Sequence, residues 1–419
     1  MTKLARVLSP DADKGARYWE EWVQDALGVM RSLQNVRHLH LRCRHKDVVS
    51  FQTEREGVRF SSPLLRAGWT AYASNLRSLE LSIPWEGIHD ILVLDGKPLH
   101  LPVLVNLKLF LTSDDLRFTI PPTSLATLRT LIIPFVNAHS QTLRSLSIQS
   151  SNQLPPNGCF NDIFLPNLQS ISIPIYFVGN ASSTTSTGHG QVLHAHKQHL
   201  KCLSLDIGFS SANGFLGHDA FGGIAPDVYP AIPSLQTLKL SVCLFAGTDR
   251  LPTPLLLVPV KQYHTSLQTL IIGIELFHVE FRDILRIFPT PSPLLTKFEF
   301  RIRNLSFRLF RTLSSKFPNL YEMAIVFNAM VAPEEEEKVI VMFLISTPLT
   351  SIRPHFFQPT VCDGWSLRHL RLQIARSVLP AQHNDQCGHI SGVVGLLPDL
   401  YTLNDKPTSS FGPLALADV

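Results

Sequence analysis

The sequence predicts an α/β solenoid, in which short parallel strands form a curved sheet on the concave side and helices cover the convex side. The first observation behind this prediction is a nine-residue apolar pattern, seen most clearly from Leu165 to Ile173. The second is that the pattern recurs from one end of the chain to the other. The third is the interval of 25 to 47 residues between copies, which holds a strand, a helix and two loops. Repeats of this kind become stable only when neighbours stack on them.

Each copy ends in two apolar residues separated by one residue, and the first of this pair is called the anchor. An apolar residue stands three positions before every anchor, and another stands two positions after every anchor except the last, where Asp405 is found. Because side chains alternate between the faces of a strand, the anchor and its second neighbour share the buried face. The longest interval, from Met323 to Leu370, predicts one further copy near Leu349–Ile352. The anchors are Leu39, Leu79, Leu107, Leu146, Ile171, Leu203, Leu238, Leu270, Phe298, Met323, Leu370 and Leu403.

Two helices are predicted near the N-terminus. Residues 16–33 form an amphipathic pattern that leads directly into the first strand. Ser61-Ser62-Pro63 opens a second helix with a serine cap and proline at the first helical position. Leu65, Trp69 and Tyr72 share one face of that helix. The apolar positions of the first helix are Tyr18, Trp22, Ala26, Met30 and Leu33.

The segment 124–139 fits either a helix or another strand. We predict a helix, because only 15 residues separate the apolar pair that starts at Leu131 from the anchor Leu146. That interval is too short for a strand, a loop and a return. Further helices are predicted at about 279–288, 305–317 and 333–346.

The domain organisation follows from the repeat. We expect an N-terminal extension over residues 1–15, one irregular solenoid over 16–405, and a flexible C-terminal tail over 406–419. Two insertions interrupt the solenoid: a Ser/Thr-rich loop near 179–190 and a Gly- and Asp-rich segment near 210–230.

Composition narrows the possible functions. Hydrophobic residues make up 45% of the 419 residues and charged residues 17%, which argues against disorder. The formal net charge of +4 is too small to indicate a nucleic-acid partner. The longest aliphatic run, Val339–Ile345, is far shorter than a membrane span, so no membrane partner is expected. The N-terminus has no apolar core of a signal peptide, and the six scattered cysteines form no C-x-x-C pair. These features favour the reducing cytoplasm or nucleus.

The pattern resembles the leucine-rich repeat, whose frame is L-x-x-L-x-L-x-x-N/C-x-L. The first half matches well, but the asparagine of the second half is largely missing, and only Leu238-Lys-Leu240-Ser-Val-Cys243 has cysteine at its place. Long irregular repeats preceded by Pro-Asn-Leu or Pro-Ser-Leu are similar to the substrate-receptor region of the large fungal F-box/leucine-rich-repeat families. The resemblance covers roughly residues 16–405.

This resemblance implies a non-catalytic substrate receptor of a ubiquitin ligase. An F-box docks on the cullin-ligase adaptor, and the fifteen residues before the first helix are too few for one. The F-box is therefore expected to be lost or to lie upstream of Met1, and the adaptor is expected as a partner only in the second case. The alternative is a leucine-rich-repeat scaffold or regulatory protein unrelated to ubiquitin.

No catalytic site, cofactor or metal is predicted. None of the common nucleotide-binding, nucleophile-elbow, zinc-protease or calcium-loop motifs occurs. Two histidine clusters leave a metal-dependent enzyme as a remote alternative, but neither has the ligand spacing of a zinc site, and solvated histidines are the simpler interpretation. The first cluster contains His189, His194, His196 and His199, and the second contains His383, Cys387 and His389, with Cys362 and His369 as possible further ligands.

The predicted binding surface is the concave face of the C-terminal repeats. Strand residues between the anchors point away from the core, and in the late repeats several of them are charged. Serines occupy the same positions in the central repeats, so the charges are not an average property of the face. We expect an acidic or phosphorylated protein segment as the partner. The candidate residues are Lys239, Lys297, Glu299, Arg301, His369, Arg371 and Gln373.

Overall fold

The computed structural model places most of the predicted strands and several helices. It describes residues 24–29, 31–42, 67–94, 96–112, 126–150, 160–178, 189–210, 229–244, 253–330, 365–374, 402–403 and 406–407. The chain divides into two compact units. The first unit comprises Met1–Tyr176 and Ser186–His199, and the second comprises Phe177–Thr185 and Leu200–Val419. The predicted copy near Leu349–Ile352 and the predicted helix at 333–346 lie outside the described residues.

The first unit contains parallel strands that pair in chain order. A short antiparallel hairpin, β3 (Val93–Leu94) with β4 (Lys97–Pro98), is set apart from them, and Gly96 in its turn has the positive φ of 74° that glycine tolerates. The parallel strands are β1 (His38–Arg42), β2 (Ser78–Pro84), β5 (Asn106–Thr112), β6 (Ser145–Ser150) and β7 (Ser170–Val178).

The second unit repeats this arrangement. Its strands also pair in parallel and in chain order, and the last two residues of the described chain turn back as an antiparallel strand. The strands are β8 (Cys202–Ser210), β9 (Thr237–Leu244), β10 (Thr269–Leu276), β11 (Lys297–Leu305), β12 (Glu322–Met330), β13 (His369–Ile374), β14 (Thr402–Leu403) and β15 (Lys406–Pro407). An α/β fold with long parallel pairing is therefore confirmed.

The anchors predicted from the sequence align across every parallel pair within each unit. Leu39 lies opposite Leu79 in the first unit, and Leu370 lies opposite Leu403 in the second. The anchors from Leu79 to Leu370 are at most 1% exposed, because their side chains form the core behind the strands. Leu39 is partly exposed on β1, which pairs only with β2 among the described strands.

The helices lie between the strands, as the intervals predicted. Residues 24–29, 31–32 and 67–72 are helical, in agreement with the two N-terminal predictions, and Trp69 and Tyr72 are both buried. The segment assigned to a helix at 124–139 contains a π-helical turn, Leu128–Ile132, that continues into an α-helix at Ile133–Ala138. The labelled helices are α1 (Ile88–Leu92), α2 (Ile133–Ala138), α3 (His189–His196), α4 (Thr253–Tyr263), α5 (His278–Ile287) and α6 (Phe307–Lys316).

The predicted insertions are bounded by ordered structure. His189 and Gly190, assigned from sequence to the first insertion, begin helix α3. Ser210, assigned to the second insertion, is the last residue of β8, and Tyr229 near its other end is buried. The Tyr263 hydroxyl donates a hydrogen bond to the Pro230 carbonyl, 3.1 Å away, which ties this end to helix α4.

Aromatic packing joins the helices of the second unit to its strands. Phe281 of α5 lies 4.5 Å from Phe300 and 6.0 Å from Phe298 of β11, measured between ring centroids. Phe317, just after α6, contacts Phe298 and Phe288 edge to face. Buried aromatic pairs of this geometry add to the large hydrophobic contribution of each ring.

A main-chain ladder fixes the register where each strand begins. The backbone N–H groups of Arg77 and Ser78 both donate to the carbonyl of Arg37 in the preceding repeat. The same double hydrogen bond recurs from one repeat to the next within both units, ending with Arg368 and His369 on the carbonyl of Tyr321. Because the ladder uses only backbone atoms, it holds repeats of different sequence and length in one register.

Asparagines of the Asn-Leu sequences reinforce this ladder. The side-chain amide of Asn75 donates to the carbonyl of Gln34, Asn167 to Gln141, and Asn319 to Pro293, over 2.9 to 3.0 Å. Each bond reaches back to the preceding repeat. The asparagine that the leucine-rich pattern places after the strand is largely absent, but these asparagines link repeats before the strand.

Candidate protein-interaction surface

The open face of each unit is formed by the strand residues between the buried anchors. In β11 the burial alternates strictly, so that Phe298, Phe300 and Ile302 are buried while Lys297, Glu299 and Arg301 are partly exposed. Alternation alone produces this separation, because successive strand side chains point to opposite faces. The open face is therefore positioned by the same pattern that builds the core.

The structure brings the seven predicted binding residues onto three strands of the second unit. Lys239 lies on β9, Lys297, Glu299 and Arg301 lie on β11, and His369, Arg371 and Gln373 lie on β13. The pairing register aligns one position on five neighbouring strands, and we call this set the central row. The central row consists of Lys239, Ile271, Glu299, Ala324 and Arg371.

Lys297 lies at the centre of an ion-pair cluster. Its Nζ is 2.9 Å from Glu299 on the same strand and 2.7 Å from Glu322 on β12. Partial burial disfavours the charged lysine, but the hydrogen bonds that Lys297 donates to Glu322 and Glu299, together with the charges of both carboxylates, outweigh this and raise its pKa. Strand alternation alone predicts that Lys297 is available to bind an acidic partner. In the structure, two carboxylates of the chain already contact it.

Arg301 also has a carboxylate partner in the chain. Its Nη2 lies 3.4 Å from Glu275 Oε2 on β10, and Asn328 donates a hydrogen bond of 3.0 Å to Glu275 Oε1. A bulge between Ile272 and Glu275 shifts the register of β10 and brings Glu275 opposite Arg301. Sequence spacing could not reveal this pair, because the bulge displaces Glu275 from its regular position.

The remaining candidates lie toward the margins of this surface. His369 Nε2 is 3.1 Å from the Tyr321 hydroxyl, and their rings meet edge to face at 4.9 Å. Lys239 and Arg371 are both exposed at the ends of the central row, and Gln373 is exposed beside Arg371. Lys239 forms no ion pair with any residue that the structure describes.

Partly exposed apolar side chains flank the charged strand β11 on this surface, and the sequence prediction did not include them. Ile271, Ala324 and Val326 occupy open-face positions on β10 and β12, and all three are partly exposed. A signal existed in the sequence: the run from Met323 to Phe327 is entirely apolar, although a strand with one solvated face should alternate. Partly exposed apolar residues beside charged ones give a surface that a protein partner can cover.

The open face of the first unit has a different composition. Glu80 of β2 lies 2.8 Å from Lys108 of β5 and 3.8 Å from His40 of β1, at one register position. The hydrogen bond from Lys108 lowers the pKa of Glu80, against a smaller opposing effect of desolvation. Beyond Lys108, the same position carries Ser147 on β6 and Ser172 on β7.

The first histidine cluster does not converge on one point. His196 is buried and faces the main-chain carbonyls of Ile163 and Leu165, whereas His194 and His199 are exposed. Burial lowers the pKa of His196, although those carbonyls partly offset the effect. In the described ranges, no group of three or more His, Cys, Asp or Glu side chains is arranged to hold a metal ion. The second cluster, around His383, lies outside those ranges apart from His369.

A further buried histidine, His139, is hydrogen-bonded to the main chain through both ring nitrogens in the first unit. His139 Nδ1 lies 2.7 Å from the carbonyl of Phe135, and the backbone N–H of Leu101 donates to its Nε2 over 2.9 Å. Because Nε2 accepts a hydrogen bond, the proton must reside on Nδ1 and the ring is neutral. Burial lowers the pKa of His139, and the stacked ring of His100 adds to this effect.

Comparison with known proteins adds no family assignment. The sequence matches no family model, and a search of curated proteins gives no significant match. Among the residues that the structure describes, no helix combines the length and apolar character needed to cross a bilayer.

Proposed function

We propose that this chain is a non-catalytic protein-recognition module whose partner binds the open face of the second unit. One observation carries the proposal: partly exposed Ile271, Ala324 and Val326 flank the charged strand β11 on strands held in register. Rigid strands present these side chains with little further loss of conformational freedom, which favours recognition of a defined partner surface. The expected partner is a protein with an acidic or phosphorylated segment.

We further propose that the repeats are of the leucine-rich type and that the module resembles the substrate-binding part of an F-box ubiquitin-ligase receptor. The L-x-x-L-x-L sequence pattern and its alignment in register support this proposal. The second candidate is a leucine-rich-repeat scaffold or regulatory protein unrelated to ubiquitin, and the same surface would serve it. Either protein would act in the cytoplasm or nucleus.

Site-specific photo-crosslinking tests the location of the partner. A photoreactive amino acid at Ala324 should crosslink a defined protein in cells, whereas the same amino acid at Ser147, on the open face of the first unit, should not. Equal crosslinking from both positions would place the partner elsewhere. Recovery of the cullin-ligase adaptor with the full-length gene product distinguishes the receptor from the scaffold, which should not retain it.

A further inference from the structure

The charges on the open face of the second unit are unevenly distributed. Each carboxylate of β10 to β12 lies within 3.4 Å of a cation of the chain, Glu275 at Arg301 and both Glu299 and Glu322 at Lys297. Asp206 on β8 accepts a hydrogen bond from Ser241. Strands β9 to β13 carry five cations and three carboxylates, so positive charge is in excess there. The cations are Lys239, Lys297, Arg301, Arg303 and Arg371.

The central row gives this excess a defined geometry. Lys239 and Arg371 are exposed at its two ends, and Ile271 and Ala324 lie between them on either side of Glu299. Four strand spacings separate the two cations, which corresponds to about 19 Å across the sheet. Glu299 shares the single cation Lys297 with Glu322, so the row carries two exposed cations at its ends and one partly neutralised carboxylate at its centre.

We propose that the central row binds an acidic peptide segment that lies across the strands. Two carboxylates of the segment, about 19 Å apart, face Lys239 and Arg371, and two apolar side chains between them cover Ile271 and Ala324 on either side of Glu299. An extended chain spans that distance in about six residues. This inference rests on the proposed function and specifies the partner that the same surface selects.

The two cations at the ends of the central row bind a carboxylate with different geometry. Arg371 can hold a carboxylate through two parallel hydrogen bonds, whereas Lys239 offers a single mobile ammonium group. Both contacts lie at an exposed rim and are weakened by salt. The apolar contacts with Ile271 and Ala324 involve no charge and are not screened by salt. The affinity should therefore fall with ionic strength without reaching zero.

A synthetic peptide provides the test. The probe is a fluorescein-labelled peptide about seven residues long, with aspartate at both ends, leucine at the third and fifth positions and serine elsewhere, so that all four side chains share one face of the extended chain. Its binding to the full chain is followed by fluorescence anisotropy. Lys239→Gln and Arg371→Gln should each weaken binding about three- to fivefold, because each removes one exposed charge contact. Ala324→Asp should remove detectable binding, since it replaces an apolar contact of the peptide with a second carboxylate beside Glu299.

Matched controls isolate the spacing and the surface. A peptide of the same composition, with both aspartates at one end, should bind more weakly because it reaches only one cation. Lys108→Gln, which removes a lysine from the open face of the first unit, should leave binding unchanged. Far-UV circular dichroism of each variant verifies that the chain is folded.

Several outcomes would overturn the inference. They are an absence of binding by the acidic peptide, equal binding by a peptide with lysine at both ends, and affinities that Lys239→Gln and Arg371→Gln leave unchanged. Crosslinking of a defined protein at Ala324, combined with no binding of the acidic peptide, would leave the proposed function standing and show this inference to be wrong. Loss of both results would remove the proposed function as well.

Discussion

The two units share one strand architecture but arrange charge on their open faces in opposite ways. In the first unit one carboxylate, Glu80, lies between Lys108 and His40. In the second unit one lysine, Lys297, lies between the carboxylates Glu299 and Glu322. The anchors beside Glu80 and Lys108 are buried as completely as those beside Lys297 and Glu322. The core pattern therefore fixes where the open-face residues lie, whereas the charge of their side chains differs from unit to unit.

The largest expected effect tests the part that the units share. Ile171→Asp should lower the free energy of unfolding by more than about 4 kcal/mol, because it buries an unpaired charge at a core position. Ile325→Asp in the second unit should have a comparable effect, since both residues are at most 1% exposed. Urea denaturation of each variant measures the change.

The open-face neighbours of these two residues serve as controls. Ser172→Asp and Ala324→Asp should each cost less than about 1 kcal/mol, because their side chains point away from the core. If core and open-face substitutions were equally mild, the assignment of the two faces would be wrong in that unit.

A pH-dependent effect should distinguish the units. His139 and His196 are buried in the first unit with lowered pKa values, and no histidine among the described residues of the second unit is buried. A folded-state pKa below the ordinary value near 6.5 means that the unfolded chain binds protons more readily. Stability is therefore complete above about pH 6.5 and falls as the pH drops through that value toward the folded-state pKa.

Hydrogen exchange at about pH 7 and about pH 5.5 can measure this difference, after correction for the intrinsic rate. Amides of β5 and β6 should lose protection at the lower pH, and amides of β11 and β12 should keep theirs. The His139→Gln variant, which cannot gain a charge, should reduce the loss in the first unit. Uniform loss in both units would contradict the assignment of the acid sensitivity to the buried histidines.

A smaller effect comes from the ion-pair clusters themselves. Lys297→Met leaves Glu299 and Glu322 near each other without their shared cation, and it should cost about 1 kcal/mol at low salt. Lys108→Met leaves Glu80 with only His40 at 3.8 Å and should cost about 0.5 kcal/mol or less. Thermal unfolding at low and high salt tests both, because screening should shrink each difference. Costs that do not depend on salt would indicate lost packing of the lysine stems instead.

The sequence could predict the strands because the necessary information is local. Alternation and the apolar residue three positions earlier identify each anchor, and burial then forces the anchors into one register. The helices at 278–287 and 307–316 could be placed for the same reason, since their apolar positions follow a helical period.

The ion pairs could not be predicted in the same way, and the exposed apolar residues beside β11 were not predicted. The partner of Lys297 on β12 and the partner of Arg301 on β10 depend on pairing between distant segments, and the latter depends also on a bulge. The histidines near helix α3 separate because the helix ends at His196, so His199 does not continue its buried face. Ile271, Ala324 and Val326 were not among the predicted residues, because the candidates on the open face were chosen for charge or polarity.

The ladder at the start of each strand has an evolutionary consequence. Every rung joins a backbone N–H to a backbone carbonyl of the immediately preceding repeat, so no rung depends on the identity of a side chain. A gene encoding such a chain can exchange, lengthen or duplicate one repeat while the neighbouring repeats keep their hydrogen bonds. Mutation can then change open-face residues almost independently of the scaffold.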